Sequence, residues 1–286
     1  MVEVSRHEVD PDWSARSQAK IERRIEETVD ALPNSRTTAL SGLMMDALSH
    51  FGHRCAIDPK GSNGDTWDSL CFAADVGAAI YAVAAAQEGT TVEITLQGKQ
   101  IPLTATGPVY FASGGTWLTA NYLAAVARDV AKTQLLSEVP LDVLRASGSE
   151  EPEYVFLMVD MFQKFNLQQH GVHEALNAAL KATAPDEVDP VHREHVRVVA
   201  FPQLNMFHNI INAGREEQFN QSLAEALELH KEFWSTEDNE ESPNGYVAIG
   251  PLGLTSVAHD AGIPIEVSSE YLPQYLYNGS WTREGL

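Results

Sequence analysis

The chain has 286 residues, 44% of them apolar and 21% charged, which is enough to bury a sizeable core and too apolar for wholesale disorder. Forty acids against nineteen Lys and Arg give a formal net charge of -21, a field that opposes nucleic acid and anionic membrane and favours basic partners. Two cysteines, Cys55 and Cys71, cannot build a disulfide framework and no C-x-x-C occurs, so a reducing, cytoplasmic compartment is expected.

The charge is uneven. Residues 1–143 carry 18 acids and 11 bases, and residues 144–286 carry 22 acids and 8 bases. The first eight residues are polar and lack an apolar signal core. Ile21, Ile25, Val29 and Leu32 follow 3–4 spacing and predict a helix over 13–32 that ends at Pro33-Asn34. Ser35 or Thr37 is expected to cap a second helix with Leu40, Leu43, Met44, Ala47, Leu48 and Phe51 inward. After the Gly61-Ser62-Asn63-Gly64 turn, a long alanine-rich helix runs over about 65–87 with Trp67, Leu70, Cys71, Ala74, Ala78 and Tyr81 inward. Its apolar stretch, 72–86, is short for a membrane span.

Alternation of Val92, Ile94 and Leu96, then Ile101 and Leu103, predicts a hairpin over 90–106 turning at Gln97-Gly98-Lys99, with Pro102 marking an edge. Helices resume with Trp117, Leu118, Tyr122, Ala125, Val126 and Val130 on one apolar face, then a short turn from Pro140. Gly148 and Pro152 mark a candidate subdivision near 148–152 of an otherwise single largely helical domain over 1–286. Beyond it come paired helices over 154–165 and 172–182, a segment interrupted at Pro202, a helix over 215–234, a charged loop over 236–244, a helix over 251–261 capped by Gly262, and a short strand over 263–267. The expected class is mainly α: a multi-helix bundle with one small hairpin and a short C-terminal strand.

Catalytic chemistry has little support. His50/His53, His170/His173 and His192/His195 share the His-x-x-His spacing, but none forms H-E-x-x-H, and a zinc site needs three or four convergent ligands. Ten histidines make such pairs common by chance. The first pair is expected to straddle a helix end and the second straddles Gly171. Ser113-Gly114-Gly115-Thr116 could cradle an anion at a helix start, but it lacks the lysine and spacing of a P-loop and reads as a turn with an N-cap. Cys71 is expected to be buried on its helix's apolar stripe. Glu150-Glu151, Glu216-Glu217 and Glu240-Glu241 show no catalytic spacing. No catalytic residue, cofactor or metal is expected.

The most informative segment is 216–241, with nine acids against Lys231. Phe219, Leu223, Ala226, Leu227, His230 and Trp234 share one side of a helix, and Glu225, Glu228 and Glu232 line the opposite side. Glu237, Asp238, Glu240 and Glu241 extend the stripe into the next loop. Such runs usually form a solvated face. The sharper expectation is that these seven acids dock a basic protein surface.

Near the C-terminus, Gly250-Pro251-Leu252-Gly253-Leu254, the passage Ala261-Gly262-Ile263-Pro264-Ile265 and the following Tyr271-Leu272-Pro273 resemble the ending of the immunity protein 49 family. Phe233-Trp234 before an acidic loop and the 141–165 region share the likeness. The resemblance implies a largely helical, non-enzymatic protein that binds and neutralises the toxin encoded beside it in bacterial polymorphic toxin systems, and it implies no catalytic residues. A helical enzyme using the histidine pairs, or a constitutive adaptor, would be the alternatives.

Overall fold

The computed structural model describes residues 1–283 and is mainly helical. Strand β1 (Val2–Val4) leads into α1 (Pro11–Ala31), α2 (Ala39–Ile57) and α3 (Gly64–Ala85). The hairpin β2 (Thr91–Leu96) and β3 (Lys99–Thr104) follows, then α4 (Gly114–Ala127), α5 (Val130–Ser137), α6 (Leu141–Arg145), α7 (Glu153–Asn166) and α8 (Val172–Ala182). The remainder is α9 (Arg193–His195), α10 (Phe201–Ile211), α11 (Glu216–Trp234), α12 (Ile249–Asp260), β4 (Val267–Ser269), α13 (Gln274–Tyr277) and α14 (Ser280–Arg283).

Asp10 starts α1 by accepting the amides of Asp12 and Trp13, and Pro11 sits at the first position, where its missing N–H costs nothing. Ile21, Ile25 and Val29 turn inward as their spacing predicts. The start of α2 differs from expectation. Neither Ser35 nor Thr37 caps it: Ser35 donates to Ala31 O and Thr37 to Thr104 O, the latter tying the helix entry to the hairpin. Helix α3 packs between α2 and α4. It is the one helix among the described residues long and apolar enough to cross a membrane, and most of its surface is buried in the protein body.

The hairpin forms where the alternation places it, with Ile94 opposite Ile101 and Val92 opposite Leu103, but the expected three-residue turn is shorter, because Lys99 already belongs to β3 and pairs with Leu96. Its turn is two residues, Gln97 and Gly98, both with positive φ, the mirror-image geometry that matches strand twist and favours glycine. The apolar face expected to reach Val130 stops earlier. Arg128 adopts a left-handed conformation that closes α4, Asp129 caps α5, and Val130 is 78% exposed.

Two further expectations are corrected. Pro202 does not interrupt its segment. The backbone is helical from α9 through a π-helical stretch, Val196–Ala200, into α10. Proline lacks an N–H and crowds the carbonyl four residues back; the wider turn just before it lets the chain pass without a break. The C-terminal strand lies at Val267–Ser269 rather than 263–267, and it pairs in parallel with β1, an element with no periodic signal in the sequence: Val2 faces Val267 and Val4 faces Ser269.

One buried cluster contains Leu43, Ile80 and Trp117 together with Phe162, Phe207, Leu223 and Tyr271, so residues on both sides of 148–152 share it. Glu151, inside that segment, accepts the amides of Gly114 and Gly115 at 2.6 and 2.7 Å. The anion cradle suggested by Ser113-Gly114-Gly115-Thr116 is therefore filled by the chain itself, while Ser113 caps the helix as expected. Replacing Glu151 with Gln removes the charge from two short hydrogen bonds at a positive helix end, and is expected to cost about 1–2 kcal/mol. A lower denaturant midpoint with unchanged slope checks this; an unchanged midpoint contradicts it.

Candidate partner-binding surface

The expected acidic face exists. Phe219, Leu223, Ala226 and Leu227 of α11 are buried, and Glu225, Glu228 and Glu232 are exposed. Trp234 packs so closely on Gly245 that a Cβ there would lie 2.6 Å from the indole, which fixes where the loop returns to the body. The loop between them is ordered by its own turns: Glu240 N donates to Thr236 O, Ser242 N to Asn239 O, and the Asn239 side chain to Phe233 O. Glu237, Asp238, Glu240 and Glu241 are exposed along it.

The stripe is less uniform than the sequence suggests. Arg197, on the π-helical stretch, contacts Glu232 at 2.6 and 3.3 Å and Glu194 at 2.8 and 3.1 Å. Glu232 therefore has a partner already, whereas no ion pair among the described residues involves Glu225, Glu228, Glu237, Asp238, Glu240 or Glu241.

The fold also brings in residues that no sequence spacing connects. Glu8, Val9, Asp10 and Trp13 face Glu240, Glu241 and Tyr246 across a cavity of about 400 Å³. Behind it lies a buried set of rings. The Tyr271 hydroxyl meets His7 Nδ1 at 2.6 Å and accepts the His7 amide at 3.0 Å. His230 Nε2 lies 3.0 Å from Gly245 O. The His53 ring stands edge-on to Trp13 and Tyr246. Burial pushes the imidazoles of His53 and His230 down to about 4 and lowers His7, so all three are neutral near pH 7. Arg6 closes the same region, its guanidinium donating to the carbonyls of Cys55, Ala56 and Tyr246.

The histidine pairs are dispersed. His50 and His53 lie inside α2 rather than across its end, because that helix continues to Ile57. His170 and His173 are exposed around Gly171, and His195 Nδ1 meets the Tyr154 hydroxyl at 2.9 Å. Among the described residues no three His, Cys, Asp or Glu side chains converge to hold a metal. Cys55 is buried. Cys71 corrects the expectation: it is only half-buried and lines an acidic cavity with Glu22, Glu26, His50, Asp68 and Asp75. Burial pushes its thiol up to about 12, which leaves little thiolate at neutral pH.

The described residues thus form a mainly helical body that displays an ordered, largely unpaired acidic face. The sequence model of the immunity protein 49 family matches residues 58–276, and the chain belongs to that family. Membership implies an immunity function, the neutralisation of a toxin protein by binding it. The match includes α11, its loop and the C-terminal strand, and leaves out Glu8, Asp10 and Trp13. No curated protein and no solved structure matches the chain.

Proposed function

We propose that this protein binds a cognate toxin domain in the cytoplasm and blocks it by direct contact, with no catalysis of its own, using the acidic face of α11 and the loop that follows. The observation that carries the reading is the excess of nine acids over one base in residues 216–241, displayed on an ordered surface. Like charges held together repel one another, and that cost is offset when a basic partner covers them. Many intracellular toxins act on nucleic acid and present basic surfaces; an acidic inhibitor can take the place of the phosphate backbone. The same field disfavours nucleic acid and anionic membrane as partners, and two unpaired cysteines suit a reducing compartment.

Changing Glu225, Glu228 and Glu232 together to Gln preserves size and helix propensity, so the fold should survive. Charges this exposed act mainly on encounter, and salt screens them beyond about 8 Å at physiological ionic strength. The association rate with the toxin encoded beside the gene should fall about tenfold at low salt, with a shallower salt dependence. Glu225 and Glu228 should account for most of the fall, because Arg197 already occupies Glu232. An association rate and salt slope equal to those of the unmodified protein would show that the stripe is only a solvated face.

A further inference from the structure

We propose that the outer edge of β2 pairs with an extended, basic segment of the toxin, which adds a third strand to the hairpin. This inference rests on the toxin-binding reading and names a second contact within it.

The ladder itself decides which backbone groups stay open. With a two-residue turn, Leu96 and Lys99 are the closing pair, and bonded and non-bonded pairs alternate from there along an antiparallel ladder. Ala105 N donates to Thr90 O at 2.8 Å, which carries the same alternation past the strand ends. Val92, Ile94 and Leu96 therefore bond inward to β3, and the N–H and C=O groups of Thr91, Glu93 and Thr95 point away from it. Among the described residues none of those outward groups has a hydrogen-bond partner, and all three residues are exposed. The other edge is blunted. The outward residues of β3 are Gln100, Pro102 and Thr104. Pro102 has no N–H, the Thr104 carbonyl accepts the Thr37 hydroxyl, and Lys99 is tied to Asp30. Proline on an edge protects it from pairing; β2 has no such device.

Charge and register identify the occupant. Glu93 is the one charged residue of β2, it stands opposite Pro102, and among the described residues it is in no ion pair. A strand laid along this edge places one side chain directly opposite Glu93, and a Lys or Arg there neutralises it. The alternate residues of the incoming strand point to the other face, beside Val92, which is only half-buried and suits an apolar or β-branched neighbour. Main-chain bonds then supply affinity and these alternating side chains supply selection. A second copy of this chain fits the edge badly. The register centred on the edge sets Glu93 against Glu93, and each copy carries a net charge of -21. The hairpin also lies within the residues that match the immunity protein 49 model.

Amide hydrogen exchange, read residue by residue by NMR, tests the pairing on the unmodified chain, alone and bound to the toxin encoded beside its gene. In the complex, exchange at Glu93 and Thr95 should slow at least about tenfold, while Gln100, on the blunted edge, keeps its rate. Thr95→Pro removes an outward donor and no ladder bond, and should weaken toxin binding on the order of tenfold; Gln100→Pro, the equivalent change on β3, should leave it unchanged. Glu93→Lys should weaken binding more than Glu93→Gln. Toxin binding with Glu93 and Thr95 exchanging at their original rates, or with Gln100 slowed as much as they are, overturns this inference and leaves the proposed function standing. That result is read on the unmodified chain, so it holds even if a proline variant fails to fold. Equal affinities of Glu93→Lys and Glu93→Gln overturn the basic character of the segment. Slowing that appears without toxin and grows with protein concentration assigns the edge to a second copy and overturns the proposal. Failure of the unmodified chain to bind the toxin at all overturns the proposed function and this contact with it.

Discussion

Removing the chain from residue 263 onward is expected to abolish cooperative folding. Val267, Tyr271, Leu272, Leu276 and Tyr277 are buried, Tyr271 completely. At about 1.5–3 kcal/mol for each large buried side chain, their loss is on the order of 10 kcal/mol, comparable to the whole stability of an ordinary domain. Polar contacts go with them. β1 loses its only strand partner among the described residues, His7 loses the Tyr271 hydroxyl, and Gly61 O loses the Trp281 indole donor. A graded series separates packing from polar effects. Tyr271→Phe keeps the ring and strands His7 Nδ1, so about 1–2 kcal/mol should disappear. Tyr271→Ala opens a cavity and should cost about 3–5 kcal/mol. Denaturant unfolding followed by circular dichroism measures all three. A truncated protein with the midpoint and slope of the full chain would make the segment peripheral and contradict the burial on which the expectation stands.

The helices were legible wherever one face is apolar over several turns. Helix α11 is the clearest example, because Phe219, Leu223, Ala226 and Leu227 recur at helical spacing and the acids occupy the other side. The hairpin was legible through strict alternation around Gln97-Gly98. The β1–β4 sheet was not, because three-residue strands 265 positions apart carry no periodicity and their pairing is set by tertiary contact. Pro202 read as a break because its local cost is real; the π-helical turn that accommodates it has no sequence signature. The acidic face was found from charge alone. Its pairing of Glu232 with Arg197, and its extension to Glu8, Asp10 and Trp13, depend on which elements lie side by side, and composition within one helix says nothing about that.

Stability is expected to fall steeply between pH 6.5 and 4.5, before most carboxylates begin to titrate. An imidazole in the unfolded chain takes a proton near pH 6.5. Burial pushes His50, His53 and His230 down to about 4 in the folded protein and lowers His7 as well. The folded values are depressed, so the unfolded chain binds more protons throughout that window. The contribution of these neutral histidines is therefore complete above pH 6.5 and is lost as pH falls toward 4. For a fully buried imidazole a shift of this size is worth about 3 kcal/mol; His53, 2% exposed, comes nearest to that, and the partly buried His50 and His230 contribute less each. Asp65 beside His50 and the backbone groups of Glu240 and Gly245 beside His7 and His230 favour the proton, but burial outweighs them and the charged neighbours are mostly positive. Arg6 and Lys231 lie near His7, Arg54 and His53 near His50, and His7 near His230, while His53 itself is lowered by burial alone. Relief of the -21 charge by carboxylate protonation acts in the opposite direction, but mostly below pH 4.5. Thermal melts should shift down by roughly 5–10 °C from pH 7 to pH 5, given about 2 °C per kcal/mol for a chain of this size. His230→Gln should be less stable at pH 7, because it trades a packed ring for an amide, and its stability should depend less on pH. Replacing the exposed His173 should change neither. A pH profile of His230→Gln parallel to that of the unmodified protein would remove the buried imidazole as the origin of the acid sensitivity.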